Sequence, residues 1–173
     1  MEVAMRIRNT VFIISAIGGV TLLLAETRSK VATNPAFDKM KSLVGKWDGT
    51  AMEGGKPMPT NARFQLISDG SALMAWLNEG VADEMVTMFH MDGTDLMATH
   101  YCSAHNQPRM VLASGGDASK LVFKFKDGTN IGPEEGHMHE VTFTIDAPDH
   151  HTEDWTYLEK GKQTTAHFDF HRK

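Results

Sequence analysis

An all-β fold, an antiparallel up-and-down barrel of about ten strands preceded by one short helix, is what this sequence predicts. Three observations carry that expectation. Apolar and polar residues alternate with period two along most of the chain beyond residue 45. Turn dipeptides punctuate the alternation at short intervals, and no helical stretch long enough for a parallel crossover separates two runs. The 173 residues are 41% hydrophobic and 23% charged, with 6 Pro against 15 Gly, a balance that fits one packed domain and excludes a disordered or collagenous chain. A net charge of −5 offers no attraction to a phosphate backbone, so nucleic acid is not an expected partner.

Taken in order, the chain opens with Arg6 and Arg8 followed by an uncharged run from Asn9 to Ala25. A charged start before a short apolar run is the grammar of a secretory signal peptide. The run has 17 residues, short of the roughly 20 that span a bilayer. Residues 1–25 are therefore expected to be cleaved, with Thr27 and Ser29 offering a second site that would extend the segment to 29. The mature protein is then periplasmic or secreted, without membrane contact, and residues 34–173 form a single barrel domain. Cleavage leaves 15 Lys and Arg against 21 Asp and Glu. Cys102 is the only cysteine, so no intramolecular disulfide holds the fold, and the thiol reads as a small buried group within a strand.

Asn34-Pro35 followed by Phe37, Met40, Leu43 and Val44 at spacings of three and four predicts one amphipathic helix ending at Gly45. Turn signals follow at Gly54-Gly55, Asp69-Gly70, Asp92-Gly93, Gly115-Gly116-Asp117, Asp127-Gly128, Ala147-Pro148-Asp149 and Lys160-Gly161-Lys162. Between them lie strands near 46–51, 60–68, 72–78, 84–91, 95–102, 109–114, 120–126, 138–146, 152–159 and 163–171. An open meander of this length would leave two unpaired edges, and closure removes them.

Gly45-Lys46-Trp47, directly after the helix and opening the first strand, is similar to the Gly-x-Trp signature of lipocalins and their calycin relatives. That resemblance implies a Trp closing one end of the barrel and a basic residue of the last strand, here Arg172, covering it. Met85 to Gly93, Thr99 to Cys102 and Asn106 to Met110 resemble a family of exported bacterial proteins of unknown function with calycin-like barrels. This second resemblance implies a fold and a compartment, and no reaction. Ten-strand barrels of the nitrobindin type bind haem through a histidine late in the chain, but alternation turns His167 and His171 away from Phe168 and Phe170, toward solvent.

Chemistry then depends on which groups face inward. On the run from His137 to Asp146 the odd positions are His137, His139, Val141, Phe143 and Ile145, so both histidines are expected inside, beside the loop Gly132 to Gly136. Two positions along a strand are about 6.5–7 Å apart on one face, within reach of one ion. His90 or His100 would be a third ligand, depending on the register of the turn between them. Met91, Met97 and Met138 add soft sulfur that suits copper, or simply fill apolar gaps. His150 to Asp154 follows a Pro-Asp turn and reads as a solvated loop. Trp155 and Tyr157 share a face of the next strand and would line the interior. Asn106, Gln107 and Arg109 flank Pro108 in a loop at a barrel opening.

No nucleophile elbow, phosphate loop, dinucleotide fingerprint or Cys-x-x-Cys is present, and the sequence declares no catalytic residue and no cofactor. The leading expectation is an exported binding protein for a small, mainly apolar ligand. Phe64, Leu66, Leu121, Phe123, Phe125, Val141, Phe143, Trp155 and Phe168 would line its interior. His137, His139, Tyr157, His100 and Arg109 would select the polar part of the ligand. One rival is a copper or zinc protein built on His137 and His139, with hydrolytic or redox chemistry. Another is a structural barrel whose loops contact a protein partner.

Overall fold

The computed structural model describes residues 34–53, 55–113 and 119–173. The signal-peptide expectation falls outside these residues. Helix α1 (Pro35–Lys41) is followed by β1 (Gly45–Glu53), β2 (Lys56–Ile67), β3 (Ala72–Leu77), β4 (Met85–Asp92) and β5 (Asp95–Tyr101). Then come β6 (Gln107–Leu112), β7 (Lys120–Thr129), β8 (His137–Ala147), β9 (His150–Glu159) and β10 (Lys162–Arg172). Each strand pairs antiparallel with the next, and β10 pairs with β1, so the ten strands among the described residues close into an up-and-down barrel. Closure satisfies the backbone of every strand edge that an open sheet would expose.

Helix α1 seals the end where β1 starts. The Asn34 side chain accepts the Ala36 and Phe37 amides at 2.9 and 3.4 Å, and Pro35 occupies the first turn, where its missing N–H costs nothing. Phe37, Met40 and Leu43 are driven into the barrel mouth and fully buried. Beneath them Trp47 donates its indole N–H to the Leu43 carbonyl at 2.8 Å. The Arg172 guanidinium lies 4.2 Å from the Trp47 ring and donates to the carbonyls of Val44, Ser42 and Pro148 at 2.8, 2.9 and 2.8 Å. One side chain from the last strand thus ties the helix, the first strand and a turn together. Gly45 has φ +139°, and a Cβ there would strike the Arg172 guanidinium, so the first residue of the Gly-x-Trp motif makes room for the latch over the third.

Several boundaries differ from the alternation. β2 begins at Lys56, and β7 runs on to Thr129 through Asp127-Gly128, which read as a turn. Gly128 instead allows a close approach, since a Cβ would run into Ile131 and the neighbouring β6 backbone. His150 to Asp154 is the first half of β9, with His151 and Glu153 buried, and not a solvated loop. The chain turns in the two residues before it, which leaves the backbone extended from His150 onward.

Register slips also matter. Between β8 and β9, Met138 pairs with Tyr157 and Glu140 with Thr156, which leaves His139 as the extra residue of a bulge. The β8–β9 register shifts again between Thr144 and Ala147, and a slip between β6 and β7 makes Lys126 the extra residue opposite Arg109 and Met110.

The interior is packed from the helix end to about mid-barrel. Phe89, Phe123 and Phe143 meet edge to face with centroids 5.5–6.1 Å apart, and Leu73, Leu96, Met110 and Val141 fill the space around them.

Candidate functional site

Packing gives out at the opposite end, where β1 meets β2 and β9 meets β10. A cavity of about 570 Å³ opens there among Ala51, Met58, Leu77, Val81, Met85, Met138, Trp155, Ala166 and Phe168, with Thr60, Asn78, Asp83, His100 and Ser103 as its polar members. That size and mixture fit a small, mainly apolar ligand. Met58 and Val81 at its edge are exposed. The segment joining β3 to β4 forms one lip and is held rigidly. Thr60 donates to the Asn78 side chain at 2.7 Å, the Asn78 and Glu79 amides donate to Asn61 at 2.9 Å each, and the Asn78 amide group donates to Asp83 at 3.0 Å.

His100 sits in the wall of this cavity with 1% of its surface exposed. Alternation along β5 sends Leu96, Ala98 and His100 to the inner face, and all three are buried. Its Nδ1 is hydrogen-bonded to the Thr87 hydroxyl at 2.9 Å across the β4–β5 pair. Its ring lies 4.7 Å from the Trp155 indole. The Nε2 has no hydrogen-bond partner among the described residues. Burial pushes the imidazole pKa down to about 4, so near neutral pH His100 is uncharged, with one ring nitrogen committed and one available. An unpaired buried polar atom costs roughly 1–3 kcal/mol, which a ligand group of the right polarity would recover.

β9 carries a second polar feature toward the helix end. His151, Glu153 and Trp155 share its inner face and are buried. Trp155 donates its indole N–H to Glu153 Oε2 at 2.7 Å, and His151 Nε2 lies 3.1 Å from Oε1. His151 is enclosed by Trp47, Phe64 and Phe170, with centroids at 4.4, 5.7 and 5.1 Å. A buried carboxylate is tolerated because both of its oxygens find partners.

The expected site residues separate accordingly. His100 and Trp155 line the cavity, and Phe168 with them. Phe64, Leu121, Phe123, Val141 and Phe143 belong to the packed core, while Leu66 at the end of β2 is exposed. His137 and His139 do not line the cavity. The bulge at His139 reverses the parity of β8, so that Met138 takes the inward place between them. The His139 ring stacks on the half-buried Phe125 with centroids 5.7 Å apart, the His137 ring lies tilted to it at 4.3 Å, and the facing nitrogens of the two histidines are 3.4 Å apart. Arg109 is on β6, not in a loop. It points outward and pairs with Asp127 at 2.6 Å, half exposed.

Tyr157 is drawn into a separate polar hollow with His105, Asn106 and Glu135. It presses against Gly136, where any Cβ would clash with its ring, and burial raises its phenol pKa. Asn106, buried beside it, donates to the Gly136 carbonyl at 2.8 Å. Cys102 is half-buried just past β5.

The sequence reading missed the aliphatic half of the cavity and the His151–Glu153 pair. The alternation that pairs Trp155 with Tyr157 extends back to Glu153 and His151, so the pair was visible once the strand is started at His150. The cavity's Met58, Leu77, Val81 and Met85 come from strand ends and a connecting segment, where no periodicity marks them.

No protein-family model matches the chain, and no curated protein matches it. Two solved structures share its architecture. Rv2717c from M. tuberculosis superposes with a TM-score of 0.54 at 13% identity, over 82% of this chain and 99% of that one. A protein of unknown function from the DUF3598 family of Nostoc punctiforme PCC 73102 superposes with a TM-score of 0.54 at 14% identity, over 78% of this chain and 48% of that one. At such identities the likeness is one of fold, and this chain is a ten-stranded closed barrel like those of uncharacterised barrel proteins.

Proposed function

We propose that the protein binds a small, mainly apolar molecule in the open-end cavity, with His100 as the polar anchor. The observation that carries this reading is a buried, uncharged imidazole with one nitrogen unpartnered, in the wall of an otherwise mostly apolar hollow of about 570 Å³. A ligand hydroxyl, carbonyl or carboxyl group would complete the hydrogen bonding of His100, and its hydrocarbon part would cover Met58, Val81, Met85 and Phe168. The exposed apolar edge gives such a molecule a route in.

Extraction of the purified protein with organic solvent, followed by mass spectrometry, is the direct test. A fluorescent apolar probe titrated into the extracted protein should bind, and His100→Leu should weaken polar-headed ligands more than plain hydrocarbons. A protein that yields no extract and leaves the probe unbound would refute the proposal.

We also infer export, from Arg6, Arg8 and the apolar run to Ala25, and a calycin-like affinity, from Gly45-x-Trp47 with Arg172 across it. Cell fractionation with N-terminal sequencing checks the first, and an unprocessed cytoplasmic chain would overturn it.

A further inference from the structure

The outer wall at the helix end carries a cluster that the cavity does not use. We propose that His150, Asp169 and His171 form a binding site for a divalent transition-metal ion, of which zinc is the natural probe. His150 opens β9 and pairs directly with His171 of β10, and Asp169 is two residues back on the same outer face. His150 Nε2 lies 3.2 Å from Asp169 Oδ1, and His171 Nε2 lies 3.3 Å from the same oxygen. All three donor atoms fall within 4.8 Å of one another.

The distances suit coordination. Ligand bonds of about 2.0–2.1 Å at a tetrahedral angle place neighbouring donor atoms roughly 3.3 Å apart, which two of the three separations already match. The third closes by rotation of His171, whose side chain is 72% exposed. Two imidazoles and one carboxylate suit zinc, copper or nickel rather than calcium or magnesium, and the fourth position faces solvent.

A fourth residue, Asp146, orients His150 for an ion. His150 Nδ1 lies 2.8 Å from the Asp146 carboxylate, the arrangement in which a carboxylate fixes the tautomer and orientation of a metal-binding imidazole. With the proton held on Nδ1, the Nε2 lone pair confronts the Asp169 oxygen, and two acceptors 3.2 Å apart need a positive charge between them. A metal ion supplies it, and a second proton on His150 is the competing occupant.

Isothermal titration of the full-length chain, purified without a histidine tag, with zinc chloride tests the assignment. One ion per chain is expected. His150→Ala combined with His171→Ala should abolish binding, and Asp146→Asn, which keeps all three ligands, should weaken it by about tenfold to a hundredfold. His167→Ala, on the same face but paired with Asp154 at 2.7 Å, should leave it unchanged. The proposal is overturned if no ion binds, if binding survives the double substitution, or if His137→Ala with His139→Ala removes it instead. Should the double variant lose its fold on a circular dichroism melt, Asp146→Asn with an unchanged melt decides the question.

Discussion

The two ends of the barrel solve the same problem in opposite ways. At the helix end, the buried His151 is surrounded by Trp47, Phe64 and Phe170 and bonded to Glu153. At the other end, the buried His100 is bonded to Thr87 on one side, while the cavity beside it is left unfilled. Each histidine keeps one ring nitrogen without a hydrogen-bond partner among the described residues, Nδ1 of His151 and Nε2 of His100. What differs is the surroundings: His151 is packed among aromatic rings, while His100 borders the cavity and is held neutral by burial. Aromatic side chains thus fill the helix end, whereas at the other end Trp155 and Phe168 border an open cavity.

The sharpest way to break this contrast is Trp47→Ala. Removing a fully buried indole, with its bond to Leu43 and its contact with Arg172, should cost about 3–5 kcal/mol in chemical denaturation. A loss near zero would mean that the helix end is not the anchored one.

Acid should act mainly through the open end. The folded protein holds His100 near 4 while an exposed imidazole sits at 6.5, so between those values the unfolded chain takes a proton that the folded one refuses. The contribution of His100 is therefore complete above about pH 6.5 and falls as pH drops toward 4, by about 3 kcal/mol in all. His100→Leu should flatten that slope, and an unchanged slope would dissociate acid sensitivity from the cavity.

Filling the two regions provides a gentler comparison. Ala98 is fully buried in mid-barrel, and Ala98→Phe should cost about 1–3 kcal/mol through overpacking. Ala166 lines the cavity, so Ala166→Phe should fold with little loss and exclude the fluorescent probe. Equal losses at the two positions would show that the cavity is not a usable void. The smallest effect belongs to Arg109→Ala, which breaks a half-exposed pair with Asp127 and should shift stability by less than about 1 kcal/mol without altering probe binding.

Much of the fold was legible. The helix from Asn34-Pro35, the ten alternating runs and the closing of the sheet follow from local pattern and from the cost of open edges. His100 and Trp155 were named from the sequence as site residues and line the cavity. The inward placement of His137 and His139 failed for a definite reason. Simple alternation holds from Val141 to Ile145, but one extra residue at position 139 exchanges the two faces for everything before it. Nothing in the run His137-Met138-His139-Glu140 advertises that slip, because both parities offer plausible inward groups.

Strand number and most turn positions among the described residues, Asp127-Gly128 excepted, were thus set by the sequence itself, since period-two alternation, turn chemistry and helix capping act between residues close along the chain. Bulges, the boundary between packed and hollow interior, and the meeting of His150 with Asp169 and His171 were decided only in three dimensions. They depend on cross-strand register and on how side-chain volumes from ten strands add up at each level of the barrel, and neither is a property of any single segment.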